Sequence, residues 1–327
     1  MSRLMRHVVT GPYAPPVAAR ELSVTSADGA SLYVEVHGPE NAPAVVLSHG
    51  WTCSTAFWAT QVRALATDHR VIVYDQRGHG RSPAVTQLPY TTEMLADDLA
   101  AVLDATLAPG EQAVLAGHSM GGMTMMAAAD RPKFREHAAA VLLCSTGSSR
   151  LVAEATVVPL LRESGLRTRI TRAILGSKAP LGPVTPVGKK VLKYATMGPA
   201  SAPDKVEACA RIVHACPRGV RYGWSHVLEH LQLDGGVERL TMPVAVVAGT
   251  ADRLTPVAHA RRIAAALPDC VGLTELPGLG HMTPVEAPEA VTAKIRELSQ
   301  KYVDTQSQSQ PQSQKPQSQK QKGADAA

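Results

Sequence analysis

Short apolar runs recur along most of the chain, and each is followed by a glycine-containing turn or by a stretch with helical spacing. The runs consist mainly of Val, Leu, Ile and Ala, and they are too short for helices and too uniformly apolar for half-exposed strands. They lie within 44–50, 70–80, 112–119, 138–146, 242–252 and 271–281, and helices are expected near 55–67, 91–106, 256–267 and 283–302. This rhythm predicts the α/β fold class, a mostly parallel, doubly wound sheet with helices on both faces.

The N-terminal part of the chain follows a different pattern. Residues 1–19 contain Pro12, Pro15 and Pro16 and are expected to form an irregular arm. Residues 20–37 alternate apolar and polar positions around Asp28-Gly29, which is typical of an antiparallel hairpin.

The rhythm stops between residues 147 and 240. This region shows helical spacing, lacks a strand-like run and is interrupted by prolines at 180, 183, 186, 199, 203 and 217. The pattern predicts a helical cap inserted into a core formed by 20–146 and 241–302.

The last residues, 303–327, are rich in Gln, Ser, Pro and Lys and show no apolar periodicity. Such a segment buries too little apolar surface to offset the entropy of ordering, so we expect a disordered tail.

The chain carries a net charge of +5 and has a pI near 9.0. Residues 147–240 contain 14 Lys and Arg against 7 Asp and Glu, so the positive excess lies in the predicted cap. No basic stripe interleaved with aromatic residues is present there, which argues against a nucleic-acid partner. The excess indicates a solvated helical surface, and weak attraction to an anionic substrate or membrane surface is the alternative.

Other classes of protein are disfavoured by what the chain lacks. No apolar stretch reaches the roughly 18 residues of a membrane span, and the N-terminus has no signal-peptide apolar run, so a cytoplasmic location is expected. The five cysteines are scattered and form no C-x-x-C pair, which disfavours a disulfide framework or a zinc site. We expect no metal or organic cofactor.

The segment Gly117-His118-Ser119-Met120-Gly121 matches G-x-S-x-G. It follows a predicted buried strand and opens a helix of small residues, which is the context of a nucleophile elbow. Glycines are needed beside such a serine because side chains there would collide with neighbouring backbone. The helix N-terminus also favours negative charge that develops near the serine.

A serine hydroxyl needs a base to remove its proton and an acid to orient that base. Asp252 lies just after one predicted strand, and His281 lies in the loop after the last one. The preceding predicted strand, 138–146, is not followed directly by a carboxylate. We therefore expect Ser119, Asp252 and His281 to form a catalytic triad.

An oxyanion needs two N–H donors. The backbone N–H groups of Met120 and of Trp51, which follows His49-Gly50, are the expected pair.

His49 and His118 are expected to pack near the elbow. In the polar segment 74–82, Asp75 and Arg77 are expected to find local partners in a tight turn. Three methionines of the elbow helix are expected in the core: Met123, Met125 and Met126.

The motifs HGW, DQRGHGRS, GHSMGG, GTADRLTP and GLGHM together resemble the α/β-hydrolase superfamily, over roughly residues 20–300. The order Ser, Asp, His agrees with that fold. The chain is most similar to the capped esterase, lipase, thioesterase and haloperoxidase-like branches. Epoxide hydrolases and haloalkane dehalogenases share the HG turn but use an Asp nucleophile where this chain has Ser119.

The resemblance implies acyl transfer on a small-molecule ester, with the cap shaping the pocket. A thioesterase, a carbon–carbon bond hydrolase and a cofactor-free haloperoxidase or perhydrolase would use the same triad. A lipase acting at a membrane surface and a non-catalytic ligand receptor are the remaining alternatives.

Overall fold

The computed structural model describes residues 11–84, 89–158 and 165–303. Its strands are β1 (Arg20–Thr25), β2 (Ser31–His37), β3 (Ala44–Ser48), β4 (Arg70–Tyr74), β5 (Ala113–His118), β6 (Ala138–Cys144), β7 (Val244–Gly249) and β8 (Cys270–Leu276). They form one sheet in the order β1-β2-β4-β3-β5-β6-β7-β8. β1 and β2 form the predicted antiparallel hairpin, β2 also pairs antiparallel with β4, and the other pairs are parallel. The predicted fold class is confirmed.

Helices cover both faces of this sheet because its central strands are apolar on both sides. Val45 and Leu47 of β3 contribute to one core cluster, and Val46 of the same strand contributes to the other. The helices outside the insertion are α1 (Ala59–Leu65), α2 (Thr92–Thr106), α3 (Met120–Ala128), α4 (Pro132–His137), α11 (Val257–Ala266), α12 (Thr283–Glu286) and α13 (Pro288–Tyr302). Two single turns of 3-10 helix, Gly11–Tyr13 and Thr55–Trp58, complete this part.

A helical insertion separates β6 from β7, as predicted. Its described helices are α5 (Leu151–Glu154), α6 (Gly165–Leu175), α7 (Pro186–Thr196), α8 (Pro203–Ala215), α9 (Arg218–Glu229) and α10 (Asp234–Glu238). α7 and α8 begin at a proline, which is favourable in the first turn of a helix, and α9 begins directly after Pro217. α8 packs into one core cluster through Val206 and Ile212, and α9 contributes Trp224 to a third cluster that contains Met120.

Both chain ends fall largely outside the described residues. The predicted irregular arm is described from residue 11, and β1 begins at Arg20, where the arm was expected to end. Of the predicted disordered tail, only Val303 at the end of α13 is described. Within the described ranges, no helix is both long and apolar enough to cross a membrane.

The predicted site residues follow the carboxyl ends of four parallel strands. Trp51 follows β3, Ser119 follows β5, Asp252 follows β7 and His281 follows β8. Because parallel strands end at the same edge of a sheet, the topology brings these four loops together.

Candidate active site

Ser119 occupies a strained turn between β5 and α3. Its backbone has φ 51° and ψ −117°, a conformation that residues other than glycine rarely adopt. The Ser119 N–H donates to the carbonyl oxygen of Cys144 at 2.9 Å, and the Thr146 hydroxyl donates to the Ser119 carbonyl oxygen at 2.8 Å. The neighbouring strand β6 and the loop after it therefore hold the turn on both sides.

The two glycines of the motif are required by close backbone packing. A Cβ atom added at Gly117 would lie 2.5 Å from the Gly121 backbone, and one added at Gly121 would lie 2.1 Å from the Ser48 carbonyl oxygen. Both contacts are backbone and cannot move aside cheaply, in agreement with the reason inferred from the sequence.

The structure brings Asp252 and His281 together. The His281 Nδ1 lies 2.8 Å from the Asp252 Oδ2, which also accepts a hydrogen bond from the Thr255 hydroxyl at 2.8 Å. The Asp252 Oδ1 accepts the N–H groups of Leu254 and Thr255 at 2.8 and 2.9 Å. With Nδ1–H directed at the carboxylate, Nε2 remains as the nitrogen that can accept a proton.

Ser119 and His281 line the same cavity. In the part of the chain that the structure describes, no hydrogen bond joins the Ser119 hydroxyl to the His281 ring. Contacts between a nucleophile and its base are often long until a substrate tightens the site.

The turn after β3 lies directly against the elbow. A Cβ atom at Gly50 would meet the His118 ring at 2.7 Å and the Ser119 Cβ at 3.1 Å. The N–H groups of Trp51 and Met120, the expected oxyanion donors, have no hydrogen-bond acceptor among the described residues. They are therefore able to donate to a ligand.

Two buried histidines support this turn. The His49 Nδ1 donates to the Gly50 carbonyl oxygen at 2.8 Å, and its Nε2 accepts the Gln76 N–H at 3.0 Å. The His79 Nε2 accepts the N–H of Thr52, which has a left-handed φ of 65°. Burial lowers the pKa of His49 to about 3 and that of His79 to about 4, so both rings stay neutral near pH 7 and keep one acceptor nitrogen.

His118 supports the loop of the candidate base. Its Nε2 donates to the His281 carbonyl oxygen at 2.8 Å, and its ring stacks on Phe57. Burial holds the pKa of His118 well below its usual range. These contacts agree with the packing role expected from the sequence.

In the segment 74–82, one expectation holds and one is wrong. Asp75 accepts the N–H groups of Thr55 and Arg81, and Arg81 is a local partner. Arg77 instead pairs with Asp98 on α2 and with Asp28 of the hairpin turn. Arg77 is buried, and its guanidinium reaches groups from distant segments, which are these two carboxylates and the Ser26 hydroxyl.

Glu286 is a buried carboxylate that belongs to none of the motifs found in the sequence. Its Oε2 accepts the Gly198 N–H and the Ser201 hydroxyl, each at 2.6 Å, from the segment between α7 and α8. Its Oε1 accepts the N–H groups of Gly280 and Met282, which flank His281, at 3.1 and 3.2 Å. Glu286 therefore joins the His281 loop to the helical insertion.

We expect the Glu286→Gln variant to lose activity mainly through kcat, by roughly tenfold or more, since His281 would be less well positioned. Each carboxylate oxygen accepts at least two donors, and an amide has one oxygen, so Gln can satisfy only one side and places its NH2 group against the donors of the other; the free energy of unfolding should fall by about 2 kcal/mol. Steady-state kinetics and thermal unfolding test this, with the exposed Glu289→Gln as control. A lower melting temperature with unchanged kcat would show a purely structural role.

The cavity above Ser119 has a volume of about 680 Å³ and is lined mainly by aliphatic side chains of the insertion. Met123 lies in a buried core cluster, as expected, and it also lines this cavity, because it lies one helical turn after Ser119. Met125 and Met126 are buried in the core as expected. The aliphatic lining includes Leu151, Val152, Val157, Ile170, Ile174, Leu175, Leu181, Leu192, Val213, Leu228 and Leu254.

Comparison with known proteins gives a consistent result. Residues 45–294 match the family model described as "Alpha/beta hydrolase family". A Caulobacter sp. (strain K31) protein whose name proposes a carbamate hydrolase, RutD, is 30% identical over 276 residues, which are 81% of this chain and 94% of that protein. The 3-oxoadipate enol-lactonase 1 of Acinetobacter baylyi is 39% identical over 105 residues, which are 32% of this chain and only 38% of that enzyme.

Among solved structures, a thermophilic esterase from Thermogutta terrifontis has a TM-score of 0.69 and 25% sequence identity. The match covers 87% of this chain and 99% of that structure.

Proposed function

Because the chain belongs to the alpha/beta hydrolase family, we propose that it is a serine hydrolase that cleaves carboxylic esters through an acyl-enzyme on Ser119. The observation that carries this proposal is the 2.8 Å hydrogen bond between Asp252 and His281, with His281 lining the same cavity as the strained Ser119. This combination of nucleophile, base and orienting acid is what acyl transfer requires.

In the proposed reaction, the His281 Nε2 takes the hydroxyl proton while the Ser119 Oγ attacks the carbonyl carbon. The N–H groups of Trp51 and Met120 donate to the oxyanion, which they can do because neither is otherwise engaged within the described ranges. His281 then gives the proton to the departing alkoxide, which leaves as an alcohol. Water deprotonated by His281 attacks the acyl-enzyme and releases the carboxylic acid. Asp252 orients the imidazole and stabilises its cation.

The cavity favours a substrate with an aliphatic acyl or alcohol group. Its volume of about 680 Å³ lies within the range of pockets that enclose small organic ligands. The names of the three relatives mention an ester, a lactone and a carbamate, and each of these groups has a carbonyl carbon bonded to oxygen. These names support cleavage of a bond between a carbonyl carbon and its neighbouring atom. Which acyl group this chain accepts would be determined by the walls of its cavity.

The proposal is tested by labelling with a fluorophosphonate and by a graded panel of p-nitrophenyl esters. We expect one phosphonyl group per chain, located by mass spectrometry on the peptide that contains Ser119. Hydrolysis should improve as the acyl chain lengthens, until the chain no longer fits the cavity. An acyl-CoA thioester and a peracid assay complete the panel. A protein that failed to react with the probe would be a ligand-binding relative, and a clear preference for the thioester would contradict the ester assignment.

A further inference from the structure

Helices α6 and α7 and their connecting loop expose a group of large apolar side chains. Val187 and Val191 are 71% and 62% exposed, and Leu166 and Ile174 are 57% and 56% exposed. Along α7, positions 187, 191 and 194 share one side of the helix. We call this surface the α6–α7 face, and its exposed apolar members are Leu166, Ile174, Leu181, Val187, Val191 and Tyr194.

The same segment is strongly basic. Residues 165–203 contain seven Lys and Arg and no Asp or Glu. Two of these cations are neutralised by neighbouring helices, since Arg172 pairs with Glu229 and Lys189 pairs with Glu207. Four others make no ion pair with a carboxylate among the described residues: Arg169, Lys178, Lys190 and Lys193.

The α6–α7 face also borders the opening of the cavity. Ile174 and Leu181 line the cavity and are at the same time exposed at the surface. An apolar molecule that passed from this face into the cavity would stay in contact with aliphatic side chains along its path. Val187 and Val191 are exposed and are not among the described residues that line the cavity.

We propose that the α6–α7 face binds an anionic lipid surface and orients the cavity opening toward it. Exposed aliphatic side chains bordered by Lys and Arg are the combination that binds at the boundary of acyl chains and acidic headgroups. A second copy of this chain fits the face poorly, since a twofold contact would place the same unpaired cations against one another. The face lies outside the proposed catalytic groups, so the inference stands independently of the proposed reaction.

The test is co-sedimentation with vesicles. Wild-type protein should bind vesicles of equimolar phosphatidylcholine and phosphatidylglycerol, and binding should weaken as salt is raised. Vesicles of phosphatidylcholine alone should bind far less protein.

The Arg169→Gln/Lys190→Gln variant should lose about fivefold in partition coefficient for each removed charge. The Val187→Ser/Val191→Ser variant should lose about tenfold or more, because its apolar side chains no longer enter the acyl region.

Matched controls lie outside the insertion. Val17→Ser changes a side chain that is 95% exposed, and Arg20→Gln changes an exposed cation at the start of β1, so both should bind like the wild type. Thermal unfolding of every variant shows whether lost binding reflects lost structure.

Three outcomes would each overturn the proposal. They are absence of binding to the anionic vesicles, equal binding to both vesicle types, and wild-type binding by the Val187→Ser/Val191→Ser variant. Sedimentation velocity that showed a dimer broken by that variant would assign the face to self-association instead.

Discussion

Replacing Ser119 with alanine is expected to lower kcat for p-nitrophenyl esters by about a million-fold, the effect of removing the nucleophile in a well-studied serine protease. The physical reason is that alanine has no hydroxyl oxygen with which to attack the carbonyl carbon. The fold should survive, because the hydrogen bonds that hold the turn run through the Ser119 backbone. Active-site titration of the wild type, set beside the rate of the variant, measures the loss.

Ser145→Ala is the matched control for this experiment. Ser145 also has a positive φ, 44°, and follows the adjacent strand β6, but it does not line the cavity. Its hydroxyl contacts that of Thr283 at 2.9 Å, so its loss should alter stability more than turnover. If Ser119→Ala kept most of the activity, or if both variants lost it equally, the assignment of Ser119 as nucleophile would be wrong.

The second large effect is expected for Asp252→Asn, a loss of about ten-thousand-fold in kcat, as for the equivalent change in a well-studied serine protease. The Asn oxygen can keep the two N–H donors that now reach the Asp252 Oδ1. Its NH2 group would then face the His281 Nδ1 and the Thr255 hydroxyl, which would favour the tautomer with Nε2 protonated. That tautomer cannot accept the Ser119 proton.

Kinetics together with thermal unfolding measure this effect, and Asp269→Asn, an exposed change after α11, provides the control. The melting temperature of Asp252→Asn should fall much less than its turnover. A variant with near wild-type kcat would show that another group orients His281, and the proposed triad would lose its acid.

Much of the architecture was predictable because the central strands are buried on both faces. A strand such as Val244–Gly249 carries no polar side chain, so its burial is visible in the sequence. The helical insertion was visible for a related reason, since its prolines and helical spacing replace the apolar runs. Exact helix bounds were less accessible, because one expected helix near 283–302 is two helices that meet at Ala287 and Pro288.

The candidate site could be predicted in part. Ser119, Asp252 and His281 each lie in the turn or loop after a strand, so strand order was enough to bring them to one edge of the sheet. The structure adds the hydrogen bond between Asp252 and His281, while the catalytic role of the three residues stays a prediction. Glu286 could not be found in this way, because it acts on Gly198, 88 residues away in the sequence, and no motif relates the two.

The sequence by itself determined the strand rhythm, the elbow and the order of the candidate triad, because these depend on residues adjacent in the chain. Only the tertiary structure decided the partners of Arg77, the position of Met123 in the cavity wall and the exposure of Val187 and Val191. Each of these depends on which distant segment packs against the residue. The sequence pattern of an apolar residue on a helix is the same whether a neighbouring segment covers its side chain or leaves it exposed.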